Sequence, residues 1–287
     1  MATEELSGRR VGHGRRLLEV VAFVGIWIGI GELLDTNPDS SSFVWKTQIY
    51  LLIGIPLVAA FQLWVRRRPI PELWVRNGQP VARRVAFRIL AAALAIYPLY
   101  SVIKVIVDQP DGVVAQFLFF VAAASGAIAA AYAFTHFSRE TWRYLCLCLA
   151  TAGVIGALPY LIGDVDTISH PTAHQAKTDL LFGVESLLLY LANLMVMEEV
   201  AFRGAFDSHA HHRGDRFGIL TAIFVSALWG AWHAPLIGWD HIVGLVVYQG
   251  AVGTFLSIWW RKSGNLEVSG TTHAVIDAIR NASGQFP

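Results

Sequence analysis

Residues 180–206 decide the fold of this chain, and they read LLFGVESLLLYLANLMVMEEVAFRGAF. The segment is mostly apolar and exceeds the roughly 20 residues that a helix needs to cross a bilayer. It also contains two adjacent carboxylates, Glu198 and Glu199, with Arg203 following on the next turn. Charged side chains are costly inside a membrane, so their presence in an apolar helix indicates a functional site.

The apolar composition of this segment extends over the whole chain. Of the 287 residues, 55% are hydrophobic and 15% are charged, whereas soluble domains carry about 25% charged residues. We therefore predict an all-α, polytopic transmembrane bundle of about eight spanning helices plus a short C-terminal intramembrane helix. The predicted spans and the final short helix are Leu17–Leu34, Phe43–Val65, Val85–Val107, Val113–Thr135, Trp142–Gly163, Leu180–Phe206, Phe217–Leu236, His241–Trp260 and Leu266–Ile279.

The connections between these spans alternate in charge. Arginines precede the first span and follow the second, whereas the first and third connections carry aspartates. The positive-inside rule then predicts an integral, multi-pass protein of the cell (inner) membrane with a cytoplasmic N-terminus. A net charge of +1 provides no general attraction for nucleic acid, so no nucleic-acid partner is expected. The expected partners are membrane lipid and a protein or peptide substrate near the membrane, and the oligomeric state is left open.

Two further segments place ionisable groups in apolar helices: residues 226–235 read SALWGAWHAP, and residues 272–277 read THAVID. Residues four apart on a helix share a face. This spacing joins three pairs, which are Glu199 with Arg203, Trp229 with His233, and His273 with Asp277. Glu198 is turned about 100° from Glu199, so Arg203 is predicted to neutralise Glu199 and to leave Glu198 available for chemistry.

A free carboxylate beside a histidine can hold and deprotonate a water molecule. We predict this role for Glu198 with His233, and we predict that His273 donates to an oxyanion as it forms. The combination fits hydrolysis of a carbonyl compound, most naturally a peptide bond. Because no Ser or Cys nucleophile motif is evident, a covalent intermediate is not expected.

The depth of these residues in the membrane poses a difficulty. If the sixth and seventh spans met in a tight turn near Arg213, Glu198 would lie about 15 Å from the interface and His233 about 25–30 Å from it. Their side chains are predicted to converge, which requires different boundaries or a sixth span that extends farther into the cytoplasm.

Two alternative functions stay open. The histidines and carboxylates could bind zinc in a metallopeptidase, although the His-Glu-x-x-His motif is absent. The buried charges could instead serve a non-catalytic scaffold or the proton relay of a transporter, although the sequence shows no inverted repeat. We expect no cofactor, and zinc is the alternative.

The three motifs together resemble those of the CPBP family, the CAAX proteases and bacteriocin-processing enzymes also called Abi, to which the Ras-converting CAAX endopeptidase is related. The motifs are Glu-Glu-x-x-x-Arg at 198–203, aromatic-x-x-x-His at 229–233 and His-x-x-x-Asp at 273–277. The similarity covers about residues 180–285. It implies two parts: residues 1–179, N-terminal transmembrane helices without a recognised motif, and residues 180–287, a catalytic transmembrane core.

The resemblance implies a glutamic-type intramembrane peptidase. Glu198 matches the general base, which acts on a water shared with the histidine that matches His233. Glu199 and Arg203 match residues that help to order the site, and the third motif supplies oxyanion donors, which His273 matches.

Two positions depart from the family pattern. Asp277 stands where the CAAX enzymes have Asn, and an ionised Asp cannot donate to an oxyanion. Asp277 is therefore expected to be protonated, to orient His273, or to bind a cation. Trp229 replaces Phe, which alters the volume of the pocket.

Overall fold

The computed structural model describes residues 12–35, 43–78, 85–108, 113–163, 173–211 and 218–283. Within these ranges the chain is helical apart from short turns and contains no strand; an isolated antiparallel bridge pairs Val75 with Asn265. The prediction of an all-α bundle is confirmed. The helices are α1 (His13–Leu34), α2 (Phe43–Ala60), α3 (Val85–Asp108), α4 (Val113–Phe134), α5 (Arg139–Cys148), α6 (Val154–Gly163), α7 (Ala173–Leu194), α8 (Ser208–Ala210), α9 (Gly218–Ile237), α10 (Ile242–Ser263) and α11 (Glu267–Ala282).

Shorter helical pieces of other types continue or connect these helices. The π-helical segments are Phe61–Val65, Leu149–Gly153 and Met195–Asp207, and the 3₁₀ turns are Ile70–Leu73 and Trp239–His241. The segment Leu149–Gly153 joins α5 directly to α6, and Met195–Asp207 joins α7 directly to α8.

Five helical stretches in the described residues are long and apolar enough to cross a membrane: His13–Leu34, Val85–Lys104, Arg139–Ile162, Gly218–Ile237 and Trp239–Ser263. Three shorter apolar helices are Ile49–Val65, Phe120–Phe134 and Leu180–Leu191. Each predicted span overlaps one of these helices, while the number that crosses the membrane stays a prediction. The connections at 36–42, 79–84, 109–112, 164–172 and 212–217 lie outside the described residues, so the orientation also stays a prediction.

The elements that carry the three motifs touch one another. Helices α9 and α10 form a helical hairpin whose connection contains Gly238 and the 3₁₀ turn. The π-helical segment Met195–Asp207 contacts α9, α10 and α11, while α11 packs against α7 and α5. The fold therefore brings the first, second and third motifs to a shared interior region.

The turn between α10 and α11 is fixed by hydrogen bonds of its own residues. Gly264 has a φ of 64°, and its N–H donates to the Trp260 carbonyl at 2.8 Å, which is a helix ending that favours glycine. Asn265 Oδ1 then accepts from the Glu267 N–H at 3.0 Å, and Asn265 Nδ2 donates to the Ala133 carbonyl at 2.8 Å. These bonds set the start of the helix that carries the third motif.

Gly230 allows α9 and α10 to approach each other closely. An added Cβ would lie 2.6 Å from the Leu245 carbonyl oxygen and 2.7 Å from Val246 Cα, and neither backbone atom can rotate away. We expect Gly230→Ala to lower the free energy of unfolding by about 1–3 kcal/mol, measured by denaturation in detergent. Gly244→Ala on α10 is the control, because its Cβ would meet nothing within 4 Å. Equal stability of the two variants would contradict this packing.

Candidate active site

A π-helical segment positions the first motif. Met195–Asp207 forms this segment, which is wider than an α-helix and is a feature found frequently at functional sites. The regular α-helical phase assumed from the sequence is therefore replaced by a wider turn. Glu199 and Arg203 nevertheless stay close, with Arg203 Nε 3.5 Å from Glu199 Oε2.

The depth difficulty between the sixth and seventh spans disappears in the structure. The helical run that carries Glu198 continues through α8 to Ala210, beyond the predicted end of the span at Phe206. Helix α9 begins at Gly218, and it places His233 Nε2 3.5 Å from Glu198 Oε2. The two side chains therefore converge.

Glu198 lies at the centre of the candidate site. Its Oε2 atom accepts a hydrogen bond from Trp229 Nε1 at 2.7 Å. The same oxygen lies 3.5 Å from His233 Nε2 and 3.8 Å from His273 Nε2. Glu198 is 6% exposed, so this carboxylate is largely removed from bulk solvent yet is not sealed off.

The hydrogen bond of His233 to its own helix determines which ring nitrogen faces Glu198. His233 Nδ1 donates to the Trp229 carbonyl at 2.9 Å, so in the neutral ring Nε2 carries a lone pair. The separation of 3.5 Å from Glu198 Oε2 is longer than an ordinary N–H···O hydrogen bond of about 2.9 Å. A small polar molecule beside these two atoms would find two acceptors within reach.

His273 is held from the opposite side by the second carboxylate. Its Nδ1 donates to Glu199 Oε1 at 3.0 Å, which leaves Nε2 directed towards Glu198 and Asp277. Nε2 lies 3.6 Å from Asp277 Oδ2. Carboxylates of three residues therefore surround one imidazole, and they would stabilise a positive charge on it.

Arg203 and Glu199 form a fully buried pair, each with 0% exposure. The guanidinium carbon of Arg203 also lies 4.2 Å from the centre of the Trp229 ring, a cation–π contact. None of the three side-chain nitrogens of Arg203 makes a hydrogen bond within the described residues. Glu199, His273 and Arg203 thus form a connected group, in which the closest partner of Glu199 is His273 and not Arg203.

Asp277 is paired with a cation that the sequence prediction did not include. Arg280 Nη1 lies 3.1 Å from Asp277 Oδ1, one helical turn away on α11. The opposite oxygen, Oδ2, is the one that faces His273. Asp277 therefore lies between Arg280 and His273, and the three expectations for its role stay predictions.

Two contributions were missed by the sequence prediction. Trp229 is predicted to share a helix face with His233, but the structure also shows its indole N–H donating a hydrogen bond to Glu198. The pairing of Arg280 with Asp277 follows an i,i+3 spacing that the sequence does contain. Glu267 is a further buried carboxylate with 0% exposure, and it accepts from the Thr271 hydroxyl at 2.7 Å. This hydrogen bond lies within α11 and does not involve a site histidine.

Across the ranges that the structure describes, no group of three or more His, Cys, Asp or Glu side chains is arranged to hold a metal ion.

We expect Trp229→Phe to lower kcat by about tenfold to a hundredfold while the KM changes little, because misplacement of a reacting group is costly. The substitution keeps an aromatic ring but removes the N–H that holds Glu198. The control is Trp232→Phe, since the Trp232 Nε1 atom is buried without a hydrogen-bond partner. An equal decrease of kcat in both variants would show that the size of the side chain, and not the indole hydrogen bond, matters at position 229.

Comparison with known proteins gives a match to a protein family. Residues 181–279 match the family model described as type II CAAX prenyl endopeptidase Rce1-like. No curated protein and no solved structure matches the chain. The matched residues run from the start of the sixth predicted span to α11 and contain all three motifs.

Proposed function

Because the family match confirms the resemblance to the CPBP/CAAX proteases over residues 181–279, we propose that this multi-pass membrane protease is a glutamic-type endopeptidase. In this proposal it hydrolyses a peptide bond of a membrane-associated or lipidated protein or peptide. The observation that carries the proposal is the position of Glu198 Oε2, 3.5 Å from His233 Nε2 and 3.8 Å from His273 Nε2. The carboxylate proposed as the general base therefore has both imidazole rings close to one of its oxygen atoms.

The first proposed step is activation of water. A water molecule beside Glu198 and His233 donates one O–H to the carboxylate and the other to the lone pair on His233 Nε2. Glu198 removes a proton as the water oxygen attacks the carbonyl carbon of the substrate. A C–O bond forms, and the carbonyl oxygen becomes an oxyanion.

The second proposed step is collapse of that tetrahedral intermediate. His273 Nδ1–H is already donated to Glu199, so donation from Nε2 needs the doubly protonated ring. Glu198 is neutral while it holds the proton from water, so Glu199 and Asp277 supply the negative charge that stabilises this ring. Nε2–H then donates to the oxyanion. The C–N bond breaks, and Glu198 returns its proton to the leaving amine.

The remaining residues order this arrangement without touching the substrate. Glu199 fixes the ring of His273, Arg203 balances the charge of Glu199, and Trp229 fixes the carboxylate of Glu198. Asp277 is proposed to orient His273, because its other oxygen is engaged by Arg280.

We expect the peptidase activity to be independent of added metal ions. Incubation with EDTA or 1,10-phenanthroline, followed by dialysis, should leave kcat unchanged, because Glu198 and His233 activate water without a Lewis acid. Activity that is lost on chelation and restored by zinc, but not by magnesium or calcium, would favour the zinc metallopeptidase alternative.

The proposed substrate class is tested with peptides in liposomes. Purified protein is incubated with otherwise identical peptides that carry a prenyl group, an acyl chain or no lipid, and products are identified by mass spectrometry. The proposal expects hydrolysis of a peptide bond in at least one lipidated peptide and weaker hydrolysis of the unmodified one. No cleavage of any membrane-bound peptide would argue against it.

A further inference from the structure

A polar cavity lies outside the candidate active site. It has a volume of about 540 Å³, which falls within the range of small-molecule sites. Segments far apart in sequence line it, and five of the lining residues are arginines, namely Arg16, Arg66, Arg68, Arg76 and Arg261. By the predicted orientation these residues are on the cytoplasmic side, where anionic lipid headgroups are abundant.

The charges of this arginine cavity do not balance. Its lining contains two carboxylates, Glu72 and Asp207, against the five arginines, which leaves a formal excess of three positive charges. Asp207 is fully engaged by Arg261, whose Nε donates to Asp207 Oδ2 at 2.8 Å. Glu72 is only weakly engaged, with Arg68 at 3.9 Å. The two carboxylates therefore neutralise one part of the cavity and leave another part basic.

Individual arginines retain capacity for a ligand. Arg16 Nε is buried and has no hydrogen-bond partner. Arg66 uses Nη1 to donate to Gln62 Oε1 and to the Gly204 carbonyl, both at 2.7 Å, which holds the guanidinium in a fixed position. A guanidinium has five N–H donors in a planar fork that matches the oxygen atoms of a phosphate.

Arg66 is a buried cation in this cavity. Burial lowers the pKa of the Arg66 guanidinium to about 10; among the nearby charges, Glu72 and Asp207 oppose this shift, and Arg68 and Arg76 add to it. An anion in the cavity would favour the charged form of Arg66 and accept hydrogen bonds from buried donors.

We propose that the arginine cavity binds a phosphate-bearing anion, supplied by the headgroup of an anionic phospholipid or by free phosphate. The site is separate from the water-activating residues. It is nevertheless mechanically linked to them, because Arg66 holds the carbonyl of Gly204, the residue that follows Arg203. The proposal does not depend on the peptidase function, so each can fail without the other.

The test uses the purified full-length chain and two sources of phosphate. In detergent, the midpoint of thermal unfolding is measured with phosphatidylglycerol, with phosphatidylcholine, and with inorganic phosphate against chloride at equal ionic strength. Native mass spectrometry counts retained lipid. Stabilisation by phosphatidylglycerol alone identifies a headgroup, and stabilisation by inorganic phosphate identifies a free anion. Either result supports the site.

Variants locate the binding. Arg16→Gln and Arg68→Gln remove arginines of the cavity and are expected to weaken binding by about tenfold each, the effect of one charge-assisted hydrogen bond. Arg139→Gln is the matched control, because Arg139 is an exposed arginine outside the cavity. The proposal is overturned if anionic and zwitterionic lipid bind equally and phosphate has no effect, or if the cavity variants bind like Arg139→Gln.

Discussion

The Glu198→Gln variant is expected to fold normally and to lose about a hundredfold to ten-thousandfold in kcat, the range that a general base contributes. Gln is nearly isosteric with Glu and can still accept the hydrogen bond from Trp229 Nε1, so the carbonyl oxygen can stay in place. It cannot take a proton from water. Initial rates on a peptide that the wild type cleaves, with circular dichroism as a check of folding, give the measurement.

Glu267→Gln is the matched control for this substitution. It makes the same isosteric change at another buried carboxylate, one whose recorded side-chain hydrogen bond is to Thr271 and not to a site histidine. It should keep most of the wild-type rate. If Glu198→Gln kept its rate as well, Glu198 would not be the general base.

Arg203→Leu is expected to lower the free energy of unfolding by about 3–5 kcal/mol, because removing one partner of a buried ion pair leaves the other charge uncompensated. Arg203 and Glu199 are both fully buried, and Arg203 Nε lies 3.5 Å from Glu199 Oε2. The substitution also removes the cation from the face of the Trp229 ring. Denaturation in detergent, followed by the near-ultraviolet signal of tryptophan, measures the loss.

A double variant separates charge from packing in this result. In Glu199→Met with Arg203→Leu, no carboxylate remains to be compensated, so a large part of the stability should return, although His273 loses its acceptor and activity stays low. An Arg203→Leu protein as stable as the wild type would show that His273 alone neutralises Glu199. A double variant no more stable than Arg203→Leu would assign the loss to packing.

The membrane architecture could be predicted from the sequence because it depends mainly on the length of the apolar runs. Apolar runs long enough for a bilayer must become helices, since lipid offers no partner for backbone groups. Each predicted span accordingly overlaps an apolar helix of the structure. The helical backbone of the sixth predicted span continues beyond Phe206 through Ala210, because the end of an apolar run does not mark the end of a helix.

The neighbours within the candidate site could be predicted only partly. Charged groups in apolar helices avoid lipid by facing the protein interior, and this explains why motifs on three separate elements meet. Contacts within one helix, such as Glu199 with Arg203, follow from spacing. The hydrogen bond from Trp229 to Glu198 could not be predicted, because it depends on the side-chain rotamer and on how α9 packs against the π-helical segment.

The proposed roles are tested most directly in cells that produce the wild type or Glu198→Gln at equal levels. Membrane proteins are extracted, and the new chain termini are compared by quantitative mass spectrometry. We expect a membrane-associated protein to accumulate uncleaved with Glu198→Gln, as it does when the chain is absent, while the Glu267→Gln control restores cleavage. Full restoration of every cleavage product by Glu198→Gln would contradict the proposed peptidase and favour a scaffold or transporter.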